Sequence, residues 1–249
     1  MSPVIEVCCG SLASGLAAQE GGAHRIELCD NLYEGGTTPS HGTLELALEK
    51  LSIKINVLVR PRGSDFVYSD DEMDIIRRDV AKCKELGIDG VVIGFLKPDG
   101  DIDIEKTREI VDLARPMLVT FHRAFDMCID PYKALEELIE IGVNRILTSG
   151  QKNMAPEGVD LISGLVRKAG DRVIIMPGAG LEPENISDFH RKVGAKEYHS
   201  TLWDSVESVM RFRRLDVFMG SSPEIPEFSW MQTDPETVRR FISELKSVK

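Results

Sequence analysis

Short apolar runs recur along the chain at intervals that suit one strand plus one helix. They fall at 4–9, 25–29, 55–60, 90–95, 117–122, 145–149, 173–176 and 196–201, each of a length expected for a strand buried on both faces. Between them the apolar positions change to helical spacing. In 73–86, Ile76, Val80, Cys83 and Leu86 line one face, which places Cys83 in the core, and the preceding Ser69-Asp-Asp-Glu72 reads as a capping box. Asp130-Pro131, Glu182-Pro183 and Asp234-Pro235 put proline where a first helical turn is expected. Gly22, Gly87, Gly142, Gly170 and Gly194 each stand at the end of a helix-like segment, just before a strand. Glycine takes the left-handed conformation past a helix end without steric cost.

Strands and helices in alternation predict a parallel α/β fold. About eight such units predict one (β/α)8 TIM-type barrel over residues 1–249. The pattern breaks at 203–232, where Pro223, Pro226, Phe228, Trp230 and Met231 cluster. This stretch is expected to be an insertion before the last helix that covers part of the barrel or makes a subunit contact. Two connections, 31–41 and 61–71, are longer than the rest, and long loops after barrel strands suit binding.

Composition narrows the functional classes. The chain has 249 residues, 42% hydrophobic and 29% charged, with a formal net charge of −11. That is ordinary globular material, and the acidic balance disfavours nucleic acid and anionic membranes as partners. A small anion in a locally basic pocket remains compatible. No apolar run approaches the roughly 18 residues of a membrane span, and the start lacks the pattern of a signal peptide. Five cysteines without paired spacing suggest reduced thiols in a cytoplasm.

Alternation along the strands then sorts the candidate chemistry. Glu6-Val-Cys8 and Glu27-Leu-Cys29 place each carboxylate on the same face as a thiol, and Val7, Ile26 and Leu28 suit the opposite face, against helices. Glu6, Cys8, Glu27 and Cys29 are therefore expected inside the barrel, on neighbouring strands about 4.8 Å apart. Paired soft thiolates select Cu(I) or Zn, and Cu(I) accepts low coordination numbers; the other reading of Cys8 and Cys29 is small buried core residues. In 117–126, Thr120 and His122 share one face, and Arg123 and Asp126 follow at the strand end, where α/β folds bind ligands. Arg60 and Arg62 share a face and suit a carboxylate or phosphate, or else neutralise Glu6 and Glu27. Gly178 and Gly180 form a short glycine-rich turn that either binds phosphate or is simply a tight βα turn, with Ser149 and His199 at the same rim. No lysine falls on a predicted inner face, which argues against a Schiff-base aldolase.

Seven segments carry a resemblance. Glu6-Val-Cys-Cys, Arg25-Ile-Glu-Leu-Cys, Glu34-Gly-Gly-Thr-Thr-Pro-Ser, Arg60-Pro-Arg-Gly-Ser-Asp-Phe-Val-Tyr, Thr120-Phe-His-Arg-Ala-Phe-Asp, Leu147-Thr-Ser-Gly-Gln-Lys and Pro177-Gly-Ala-Gly resemble the CutC family of copper homeostasis proteins. The likeness runs from the first strand to the last helix. Ser64 stands where a glycine is common, and Ala179 interrupts a glycine run. The resemblance implies a cytoplasmic TIM-type barrel, often a homodimer, with a Cu(I) site at Cys8 and Cys29. Two functions are expected to compete. One is Cu(I) binding in copper homeostasis. The other is an enzyme on a small anionic or phosphorylated metabolite, with Glu6, Glu27 and His122 moving protons and Arg60, Arg62, Arg123, Asp126, Ser149, Gly178, Gly180 and His199 around the ligand.

Overall fold

The computed structural model describes residues 3–220, 222 and 224–248. Pro223 of the expected insertion lies outside the described residues. Eight parallel strands alternate with helices: β1 (Val4–Cys9), α1 (Leu12–Gly21), β2 (Arg25–Leu28), α2 (His41–Lys50), β3 (Lys54–Leu58), α3 (Asp70–Leu86), β4 (Gly90–Ile93), α4 (Ile104–Ala114), β5 (Leu118–Phe121), α5 (Pro131–Glu140), β6 (Arg145–Thr148), α6 (Val159–Ala169), β7 (Ile174–Pro177), α7 (Ile186–Val193) and β8 (Glu197–Ser200). A hairpin, β9 (Trp203–Glu207) and β10 (Ser229–Thr233), precedes α8 (Pro235–Ser247). The sheet runs in the order β7-β6-β5-β4-β3-β2-β1-β8, and a parallel bridge between Gly178 and His199 brings its edges together, so the barrel is nearly closed. This is the expected (β/α)8 architecture.

Local signals set most boundaries. All five joint glycines have positive φ. The capping box at Ser69 and Glu72 opens α3, and Pro131 and Pro235 start α5 and α8. Pro183 does not start a helix. Asn185 accepts from the Glu182 amide at 3.0 Å and donates to the Gly180 carbonyl at 2.8 Å, so 182–185 is a turn and α7 begins at Ile186. β3 stops two residues before the expected end because Arg60 has turned away to exchange hydrogen bonds with Thr38.

Outward-facing Val7, Ile26, Leu28, Val57, Val91, Val119 and Ile146 pack against the helices and are fully or almost fully buried. Burial of each such side chain contributes about 1.5–3 kcal/mol relative to exposure. The inner face is different. Glu6, Arg25, Glu27, Asn56, Thr120, Arg145, Glu197 and His199 are all buried, where barrels ordinarily stack bulky aliphatic side chains. A charged interior of this kind is costly unless every charge is paired.

The insertion takes a form that spacing did not reveal. β9 and β10 pair antiparallel, and the root of the hairpin is tied to the barrel, with Thr233 donating to Ser14 and to the Thr201 carbonyl. Beyond it Val209, Phe212, Leu215 and Met219 are exposed. No helix is long and apolar enough to cross a membrane among the described residues.

Candidate metal centre

The interior charges form one connected set. Register places Glu6 beside Arg25 on one side and His199 on the other. Arg25 donates from Nε to Glu6 and from Nη2 to Glu197 at 2.6 Å, and Arg145 Nε completes Glu197 at 2.7 Å. Asn56 donates to Glu6 at 2.9 Å, and the His199 Nδ1–H donates to its other oxygen at 2.8 Å. Burial alone would raise the Glu6 pKa. The Arg25 charge, with His199, outweighs it and holds Glu6 down at about 2. The cation beside Glu6 is therefore Arg25, not Arg60 or Arg62.

With Nδ1 fixed on Glu6, the opposite ring nitrogen of His199 faces Glu27 at 3.6 Å. Cys8, Glu27 and His199 each present one ligand atom, and these atoms lie within 4.8 Å of one another. The Cys29 Sγ lies 3.6 Å from that of Cys8. A carboxylate that orients a ligating imidazole from behind is the usual support of a metal-binding histidine. The donors are two sulfurs, one nitrogen and one carboxylate, a set that suits a thiophilic ion. Burial pulls the His199 pKa down, but Cys8, Glu6 and the Glu27 charge prevail and raise it well above the usual value. Burial raises Glu27, and Cys29, burial and the Glu27 charge push the Cys8 thiol well up. Each shift favours the protonated form, so a metal would compete with protons for these groups. Cys29 also lines a surface pocket of about 400 Å³ between the starts of α1 and α2, with Ser11, Asp30 and Ser40. A larger cleft of about 1040 Å³ lies at the opposite end of the barrel; it reaches Glu197 but none of the four donors.

The remaining predicted residues fall into separate groups. Arg60 and His122 lie at the carboxyl end of the barrel, each against the ring of Phe66, with Tyr68 below Arg62. Arg62 binds Glu72 at 2.5 Å and Asp65 at 3.1 Å and donates to the carbonyls of Gly63, Asp65 and Val67, so all its donors hold its own loop together and tie it to the start of α3. Arg123, Asp126 and Ser149 form a clasp. Asp126 accepts from Arg123, Thr148, Gln151 and both the amide and the hydroxyl of Ser149. Gly178 packs where a Cβ would strike Leu147 and His199, and Gly180, at φ +70°, lies against Met154. The structure thus brings together Glu6, Cys8, Glu27, Cys29 and His199, and pairs His122 with Arg60. Arg25, Asn56, Arg145 and Glu197 support the first group and were not singled out from sequence.

Residues 3–203 match the family model described as CutC family. A Chromobacterium violaceum protein named as family protein CutC is 49% identical over 239 residues, 96% of both chains. A human protein named copper homeostasis protein cutC homolog is 42% identical over 245 residues, covering 98% of this chain and 90% of that one. The crystal structure of CutC from Streptococcus agalactiae superposes with a TM-score of 0.77 at 34% identity, over 80% of this chain and 98% of that one. Phosphoribosylanthranilate isomerase from Thermotoga maritima, at 15% identity and a TM-score of 0.56, shares the fold alone, with 98% of each chain covered.

Proposed function

The chain belongs to the CutC family, and from that premise we propose that it binds Cu(I) as cargo in cytoplasmic copper homeostasis. Cys8, Cys29 and His199 serve as ligands, and Glu27 compensates charge. The observation that carries this reading is the cluster itself: Cys8, Glu27 and His199 donors within 4.8 Å, with the Cys29 sulfur 3.6 Å from that of Cys8. The name of the human relative, a copper homeostasis protein homolog, supports copper among thiophilic ions. Glu6 keeps Nδ1 of His199 protonated, so the other nitrogen is the one released to a metal.

A competition titration against a Cu(I) chelator tests it. Wild type should bind one equivalent, Cys8→Ser and Cys29→Ser should lose tight binding, and Cys83→Ser, whose thiol lies on α3 in the apolar core, should keep it. Equal affinity in wild type and in the Cys8 and Cys29 variants would remove the copper reading.

One observation favours a second reading. Glu6 and Glu27 flank His199 with pKa values displaced in opposite directions, the arrangement by which enzymes separate a base from an acid. An acid–base enzyme on a small anion would use that trio, and stoichiometric release of a metabolite from freshly purified protein would favour it.

A further inference from the structure

The barrel mouth holds a second constellation, built on different residues from the thiol cluster. Arg60 is 5% exposed, yet it makes no ion pair among the described residues. Its Nη1 donates to the carbonyls of Glu34 and Gly36 at 3.0 and 2.8 Å, and its Nη2 to that of Ser64 at 2.7 Å. Its Nε–H has no acceptor. A buried guanidinium carries a full charge at any physiological pH, and neutral carbonyls do not cancel that charge. Buried charges without a counter-ion are rare because desolvation costs several kcal/mol.

His122 packs against the same Phe66 ring. Arg60 Cζ lies 5.1 Å from the ring centroid, and the His122 ring 4.9 Å from it. The Ala124 amide donates to His122 Nδ1 at 3.0 Å, so Nδ1 is bare. Burial and the Arg60 charge push the imidazole down to about 3, which leaves it neutral with its hydrogen on Nε2. That Nε2 is buried and has no partner. The hydroxyl of Tyr68, a residue 5% exposed, is likewise buried and unpartnered; burial raises its pKa, and the Arg60 charge is the foremost influence opposing that rise.

We propose that Arg60 Nε, His122 Nε2 and the Tyr68 hydroxyl form a binding site for the oxyanion head group of a small carboxylate or phosphate. All three groups can donate, one positive charge awaits a counter-ion, and the place is the carboxyl end of β3 and β5, where barrels of this fold bind ligands. Phe66, half-buried over both Arg60 and His122, closes the site, and the head group reaches the donors as the ring moves off them. Arg62 is outside the site, since its donors are taken up within its own loop. The inference does not depend on copper binding.

Tyr68→Phe isolates the claim. It removes one oxygen that bonds to nothing in the ligand-free protein, so the variant should fold with an unchanged melting temperature. Inorganic phosphate, sulfate, acetate and malonate are titrated by calorimetry and by thermal shift. At least one should stabilise the wild type saturably, and Tyr68→Phe should bind it about five- to tenfold more weakly. His122→Gln provides a second variant with the same expected direction. Preference for phosphate would mark a phosphorylated ligand, and preference for malonate or acetate a carboxylate; either supports the site. If no anion stabilises the wild type saturably, or Tyr68→Phe binds as tightly, the proposal fails and the free N–H groups are directed at the Phe66 ring alone.

Discussion

Replacing Arg25 by methionine should reveal how much the interior ion network stabilises the barrel. Methionine matches the length of the side chain and removes its charge. Glu6 would keep Asn56 at 2.9 Å and His199 at 2.8 Å, and Glu197 would keep Arg145 at 2.7 Å, but two buried carboxylates would lose their shared cation. Breaking a buried ion pair by removing one partner costs about 3–5 kcal/mol. A second route gives a similar figure. The pKa of Glu6 falls from 4.5 to about 2, which corresponds to about 3 kcal/mol of stability, and Arg25 is the foremost attraction behind the fall. The sign follows from the direction. A carboxylate with a depressed folded-state pKa stabilises fully above its unfolded value near 4.5, and that contribution is lost as pH falls toward 2. Urea unfolding at pH 7 should show Arg25→Met less stable by about 3 kcal/mol. The variant should also lose much of the wild type's acid dependence between pH 4.5 and 2, because Glu6 is no longer held down. A loss under about 1 kcal/mol, or an unchanged acid slope, would refute the assignment of Arg25 as the principal counter-ion of Glu6.

Three other predictions use different perturbations. Apparent Cu(I) affinity should climb with pH through the neutral range, by about tenfold per unit for each proton displaced, because Cys8 and His199 both hold their protons above their usual pKa values; a flat profile in the chelator competition would contradict the ligand set. Gly21→Ala would bring a Cβ to 2.5 Å from that of Val238 and 2.9 Å from the Pro235 carbonyl, so chemical denaturation should report a loss of about 1–3 kcal/mol as α1 and α8 separate. Glu6→Gln should lower the pKa of His199, since the carboxylate facing Nδ1 helps to raise it, and the imidazole resonances followed against pH by NMR should show the drop.

What the sequence disclosed and what it hid divide along a physical line. Period-two alternation is a property of each strand alone, so Glu6, Cys8, Glu27 and Cys29 could be placed on the inner face before any strand had a neighbour. Helix ends were equally local: the Ser69–Glu72 box and the positive-φ glycines needed only a few adjacent residues. The partner of each inner charge is not local. His199 meets Glu6 because β8 pairs with β1, a contact across 193 positions of chain, and alternation gives the face of His199 but not that neighbour. Arg25, Arg145 and Glu197 sit at the first residues of their strands, where a charge is most simply read as the end that meets water. Their burial follows from the barrel's closure, which turns strand starts into an enclosed floor. Arg60 and Arg62 show the opposite difficulty. Their residue type was informative, but two arginines on one strand face looked equivalent until the loops showed that Arg62 spends every donor on its own segment. Arg60 keeps an Nε–H with no acceptor. That difference lies in the fold of residues 61–69, and it is what separates a side chain that shapes the mouth from one that awaits a ligand.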